Sequence, residues 1–288
     1  MFTIFLGMAA VIIAVIFLNH TGSLLMIPAI SPEAFLSSLP YTPIRVLGRE
    51  VILIEPSSTI IVYALGLIMV GLGIGFIASR QKSNARKYWG IGLILWGLGA
   101  ITAGTSYQAF GYELKCRGRE LCQFTSIFEL VYMLLTAYSI NFLVTATAYA
   151  SLAEKGRKWL IGFAVVDGIA YSIFMLIGAL IPNRFMVSYE GFMVFVGGNF
   201  VLMFILSIRH YLSHRDCLNL CLTWLWVGFL VVNLGYFAAL FSGYAAPLFV
   251  RTGIWFNEND VLHSLLILWA GQIFFSLWKR LADQPVLK

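Results

Sequence analysis

The chain has 288 residues, of which 60% are hydrophobic and 11% charged, and its mean hydropathy is +0.87. Soluble domains carry about 25% charged residues, so the composition excludes an ordinary soluble protein and places the chain in a lipid bilayer. The net charge of +6 comes from basic residues grouped in loops, which sets membrane orientation and argues against a nucleic-acid partner.

A spanning helix needs about 20 mainly apolar residues, and the sequence contains such runs almost from end to end. The expected fold is all-α: a polytopic membrane helical bundle with a seven-helix core over residues 58–280, preceded by an N-terminal signal-anchor helix at 1–19, eight spans in all. Residues 2–18 lack a basic start and a small-residue cleavage pattern, which favours a retained anchor over a removed signal peptide. Residues 20–57 form the longest segment outside the spans, broken by Pro28, Pro32, Pro40, Pro43 and Pro56. Within it, 44–54 reads as a short strand or hairpin, and the whole segment as an ordered extracytoplasmic cap in preference to a ligand lid.

The span at about 58–78 carries Gly71, Gly73 and Gly75, and the one at about 88–110 carries Ala100 and Gly104; small residues at such spacings let two helices approach closely. The loop that follows contains Cys116 and Cys122. Loop charges put it outside, where disulfides persist, so a bridge is favoured over two free thiols or a metal pair. The fourth span, about 124–150, aligns Glu129, Tyr132, Thr136 and Ser139 on one face. The fifth carries Asp167 and Tyr171, the sixth Glu190 with the Gly197, Gly198, Asn199 triplet, and the seventh Asn233 and Tyr236. Cys217 and Cys221, at the start of the seventh, read as reduced packing residues. Twelve of the 19 Lys and Arg residues fall in the loops after the second, fourth and sixth spans and in the tail at 281–288 with its approach. The positive-inside rule makes those loops cytoplasmic: a multi-pass cell-membrane protein with both termini cytoplasmic if the first helix is retained.

The last span opens on Phe256, Asn257, Glu258, Asn259, Asp260, Val261, Leu262 and His263. Asp260 and His263, at i and i+3, share a helix face, and ionisable groups inside a membrane are functional candidates by default. A rise of about 1.5 Å per residue puts Glu129, Glu190 and His263 at one depth, about 8 Å below the outer boundary, joined there by Gln108 and Tyr236. Asn141, Asp167 and Asn199 form a deeper, sparser layer. His263, Asp260, Glu129 and Glu190 are therefore the candidate acid–base groups, meeting in a pocket open to the outer side. Tyr107, Gln108, Tyr132 and Tyr236 are the candidate ligand contacts. His263, Asp260 and Glu129 would hold a divalent metal such as zinc. Two functions stay open: a membrane-embedded, metal-assisted hydrolase acting on a lipid-like substrate, and a non-enzymatic sensor or carrier holding a lipid or small molecule. A third reading makes the same residues an interhelical hydrogen-bond network.

The layout, with Asp260 and His263 in the last helix, distantly resembles the heptahelical hydrolases related to alkaline ceramidases and the progestin/adipoQ receptors. That resemblance implies zinc held by three histidines, two of them in an H-x-x-x-H pair on the last helix, together with a serine and an aspartate. Only His263 matches the pair, since Ile267 stands at the second position; Asp260 and Ser106 are loose counterparts. A retinal protein would need a lysine within the last span, and Lys279 lies at its end; no rhomboid-type serine elbow is present.

Overall fold

A computed structural model describes residues 30–79, 83–181 and 183–284. The expected anchor at 1–19, the start of the cap at 20–29, and Arg80, Lys82, Pro182 and Lys288 lie outside the described residues. The chain first forms a short helix α1, Pro32–Ser37, capped by Ser31, whose hydroxyl accepts from Ala34 N–H. A hairpin comes next, β1 Tyr41–Val46 against β2 Arg49–Ile54, in antiparallel register from Tyr41 opposite Ile54 to Val46 opposite Arg49. Leu47 and Gly48 both have positive φ, the two-residue turn whose twist suits a hairpin. The strand or hairpin expected at 44–54 is present beside an otherwise helical chain, and it begins earlier, at Tyr41.

The helices after it are α2 Pro56–Ala78, α3 Asn84–Gly104, α4 Gly111–Lys115, α5 Ile127–Ser151, α6 Glu154–Leu180, α7 Tyr189–His214, α8 Cys217–Ser242, α9 Ala245–Thr252 and α10 Glu258–Leu277. Seven of these, all but the short α4 and α9, are long and apolar enough to cross a membrane. Their outward faces expose Leu67, Ile74, Val166, Val194, Leu230 and Phe275, which is the surface that a bilayer covers at no hydrophobic cost.

Six of the seven close a ring by neighbour contact, in the order α2, α3, α5, α7, α8, α10 and back to α2. The remaining long helix, α6, packs outside it against α5 and α7. The α2–α3 seam depends on glycine. A Cβ on Gly73 would lie 2.6 Å from the Gly90 carbonyl oxygen, and one on Gly90 equally close to that of Gly73, so neither position accepts a side chain without separating the helices. The expected small-residue seam holds at Gly73 and at Gly104, which packs against Val62, whereas Gly71 meets nothing within 4 Å and Gly75 abuts the Trp278 ring instead of α3. Outside the ring, Asn199 Nδ2 donates to Asp167 Oδ2 at 3.1 Å and reaches Asn141 Oδ1 at 3.5 Å. The deeper polar layer is therefore a three-helix contact tying α6 to α5 and α7.

The two ends of the bundle differ. The hairpin end gathers the starts of α2, α5 and α10. At the far end, Asp283 accepts from Ser83 Oγ at 2.8 Å and from the backbone N–H groups of Asn84 and Ala85 at 3.0 and 2.7 Å. Burial pushes this carboxyl up, but those bonds prevail and hold it below its ordinary value. Gln284 N–H reaches Tyr149 O and Leu281 is fully buried, so the beginning of the expected tail is folded onto the bundle as a cap for α3.

Candidate functional site

Near the hairpin end, α3 widens into a π-helical segment, Thr105–Ala109, closed by Phe110 N–H to Thr105 O at 2.9 Å. Such single wide turns recur at functional sites because they rotate side chains off the regular helical positions. Here the turn places Tyr107 and Gln108 between two spaces. Below is a cavity of about 340 Å³ inside the ring, bounded by α2, α3, α5, α7, α8 and α10. Above, under Leu39 and the loop before α10, is a vestibule of about 430 Å³. Tyr107, Gln108 and Asn259 line both, so the two spaces adjoin across these side chains.

The cavity is aromatic and uncharged. Trp96, Tyr132, Phe192, Phe200, Phe229 and Tyr236 contribute rings to its wall, and among its described lining residues none is Asp, Glu, Lys or Arg. Its polar atoms are few: Thr136, Asn233, Asn259, Gln108, His263 and the tyrosine hydroxyls. Asn233 Nδ2 donates to Phe229 O at 2.8 Å, which turns its Oδ1 away from that bond. Gln108 Oε1 and His263 Nδ1 are buried and have no hydrogen-bond partner. A buried polar atom left unpaired costs about 1–3 kcal/mol, and of the nine such side-chain atoms among the described residues these two belong to residues that line the cavity.

The vestibule differs. Glu55 stands at the start of α2 in a left-handed conformation, φ 45°, which costs a non-glycine residue about 1–2 kcal/mol. Its Oε1 accepts from Trp255 Nε1 at 2.6 Å and from Asn257 Nδ2 at 3.0 Å. Burial, reinforced by the Asp260 and Glu258 carboxylates, pushes the Glu55 carboxyl up to about 7 against the two hydrogen bonds. Glu55, Glu258 and Asn257 face the vestibule, and no Lys or Arg is among its described lining residues.

The sequence-predicted residues divide. Tyr107, Gln108, Tyr132, Tyr236 and His263 do line one cavity. The three carboxylates do not join His263 there. Asp260 is fully buried at the third position of α10, where it forms a reciprocal capping box with Asn257 and accepts from Ser58 Oγ at 2.9 Å. Glu129 lies behind the wall. Its Oε1 accepts from Lys115 Nζ and Ser106 Oγ, each at 2.8 Å, while Ser126 caps the helix by bonding Glu129 N–H. Glu190 is exposed on the first turn of α7. The depth estimate fails for both glutamates because α5 begins at Ile127 and α7 at Tyr189, each about a turn later than hydropathy suggests, which leaves them at helix starts. Among the described residues no three His, Cys, Asp or Glu side chains are placed to share a metal ion. Cys116 and Cys122 are bridged by a disulfide, and Cys217 and Cys221 are free thiols.

Glu55 and Trp96 escape the sequence reading. Trp96 looks like core on a nearly all-apolar helix. Glu55 carries a weak signal: it is an acid set directly against Pro56 at the mouth of a 23-residue apolar helix, where an unneeded charge is costly.

Comparison with protein-family models, with characterised proteins and with solved structures finds no match to this chain.

Proposed function

We propose that this multi-pass membrane protein binds a small, partly aromatic molecule in the ring cavity, as a sensor or carrier, and admits it through the vestibule. The observation that carries the reading is the pair of unpartnered atoms, Gln108 Oε1 and His263 Nδ1, on the wall of an otherwise aromatic cavity. Apolar walls with a few convergent polar atoms are the usual composition of a ligand pocket, and an amide oxygen asks the ligand for a hydrogen-bond donor. Binding is favoured over metal-assisted hydrolysis because each candidate carboxylate has other work. Glu129 neutralises Lys115, Asp260 caps α10, and Glu190 sits outside the bundle.

In this reading the hairpin end faces outside. Its support is the grouping of Arg86, Lys87, Lys155, Arg157, Lys158, Lys279 and Arg280 around the far end, with the disulfide at the other. The exposed thiol of Cys217 should then react with a membrane-impermeant maleimide only after cells are permeabilised. For binding, the full chain in nanodiscs should take up 3-phenylpropan-1-ol, followed by titration calorimetry. Ala103→Phe, which puts a ring into the cavity at a lining position, should abolish uptake. Equal binding by this variant and the wild type would sink the proposal.

A further inference from the structure

The vestibule and the cavity have opposite characters, and a single molecule spanning both must match each. From the geometry we infer that the ligand is an amphiphilic amine: its protonated nitrogen lies in the vestibule among Glu55, Glu258 and Gln108, and its aromatic or aliphatic body lies in the cavity. The inference rests on the binding reading above and names the ligand class for that site.

Three observations support it. Both described hydrogen bonds to Glu55 end on Oε1, which leaves Oε2 to face the vestibule that the residue lines. Gln108 is 4% exposed, its Oε1 is unpartnered, and the residue lines both spaces, so an uncharged amide stands where the ammonium end meets the body of the ligand. Finally, Tyr107 and Trp255 bring two rings to the vestibule and Tyr132, Phe192 and Tyr236 three more to the cavity, and a ring face attracts a cation while its bulk accepts an apolar body. An anion meets two carboxylates at the mouth. A neutral molecule fills the cavity but leaves the acids unanswered. Lys115, 5.3 Å from the centre of the Tyr107 ring, is paired with Glu129, so its charge is already answered.

Three probes of similar size decide the matter at a pH near 8, titrated into the full chain in nanodiscs: dimethyl(2-phenylethyl)ammonium, 3-phenylpropan-1-ol and 3-phenylpropanoate. The ammonium should bind about tenfold more tightly than the alcohol, as expected of cation–π and ion-pair contacts in a sheltered site, and the carboxylate most weakly. Glu55→Gln keeps an acceptor for Trp255 and Asn257, and Glu258→Gln alters a side chain outside that pair. Each should cut ammonium affinity about fivefold or more and leave the alcohol unchanged. Equal affinity for ammonium and alcohol, or a preference for the carboxylate, overturns the charge assignment while the cavity reading stands. If no probe binds the wild-type chain, or if Ala103→Phe binds all three unchanged, the cavity reading falls and this inference with it.

Discussion

Lys115→Met tests whether Glu129 is scaffold or site. The pair is buried, with Nζ 2.8 Å from Oε1, and at an effective dielectric of about 20 that separation corresponds to a gross attraction of about 6 kcal/mol. Desolvation of both ions offsets much of this, so the decisive quantity is the penalty for removing one partner alone. An acid left buried and unpaired costs about 3–5 kcal/mol. Ser106 Oγ continues to donate to Glu129, which favours the lower part of that range. Combining Lys115→Met with Glu129→Gln removes both charges, and the amide oxygen still accepts from Ser106. The double variant should therefore recover all but about 1 kcal/mol, and the cycle should return a coupling of at least about 2 kcal/mol, larger by whatever Glu129→Gln alone costs. Denaturant unfolding in detergent, followed by circular dichroism, measures each corner. If Lys115→Met unfolds within about 0.5 kcal/mol of the wild type, or if the double variant is no more stable than the single, the ion pair is not the strut described. Unchanged 3-phenylpropan-1-ol affinity in the double variant places Glu129 outside the binding site.

Glu55 makes stability depend on pH. Its folded carboxyl, at about 7 beside Asp260 and Glu258, holds a proton that the unfolded chain releases near the ordinary value of about 4.3. The contribution is fully present below that value and is lost as pH rises through about 7, by roughly 3 kcal/mol; Glu55→Gln should flatten the change in unfolding midpoint between about pH 5 and about pH 8. Asp283→Ala removes the acceptor of Ser83, Asn84 and Ala85. It should cost about 1–2 kcal/mol, the value of a lost helix cap, and speed hydrogen exchange at the start of α3 before it affects the hairpin end. Cys116→Ser opens a loop of six-residue separation; it should cost about 2 kcal/mol, and non-reducing peptide mapping of the unaltered chain should recover the bridged pair.

The seven spans of the core and most of their positions are legible from hydropathy, because a bilayer imposes length and apolarity on every crossing segment. The hairpin is legible from the β-branched residues around Leu47 and Gly48. The cavity wall is legible in part: Tyr107, Gln108, Tyr132, Tyr236 and His263 are polar or amphipathic residues on spans, and burial inside the ring is the cheapest place for them. The carboxylate partners are not legible, because the same acid serves equally well at a helix start. Asp260 and Glu129 each stand three residues after a capping Asn257 or Ser126, and that pattern, N-cap followed by an acid at the third position, outranks spacing to a histidine. Glu55 is only faintly legible, for a different reason. Its local signal is one acid directly before Pro56, and its place beside Trp255 and Asn257 is a long-range consequence of where the hairpin delivers the chain to α2.

The ring closes in a way that loop connectivity does not dictate. Because the long helices alternate in direction, α2 and α10 run the same way, as do α5 and α7, while every other neighbouring pair in the ring is antiparallel. Parallel neighbours cannot share a short turn. The α5–α7 seam is spanned by the return stroke of α6, fastened through Asp167 and Asn199. The α2–α10 seam is pinned by side chains at its two extremities: Ser57 to Trp255 O, Ser58 to Asp260 and Asn257 to Glu55 at one, and at the other Arg86 of α3, which donates both to Ser79 Oγ at the end of α2 and to Trp278 O at the end of α10. Among the described residues it is the seam whose two helices stand first and last in the chain order of the long helices. One of its pins is Glu55, the same carboxylate that lines the vestibule, so the acid belongs at once to the seam and to the site.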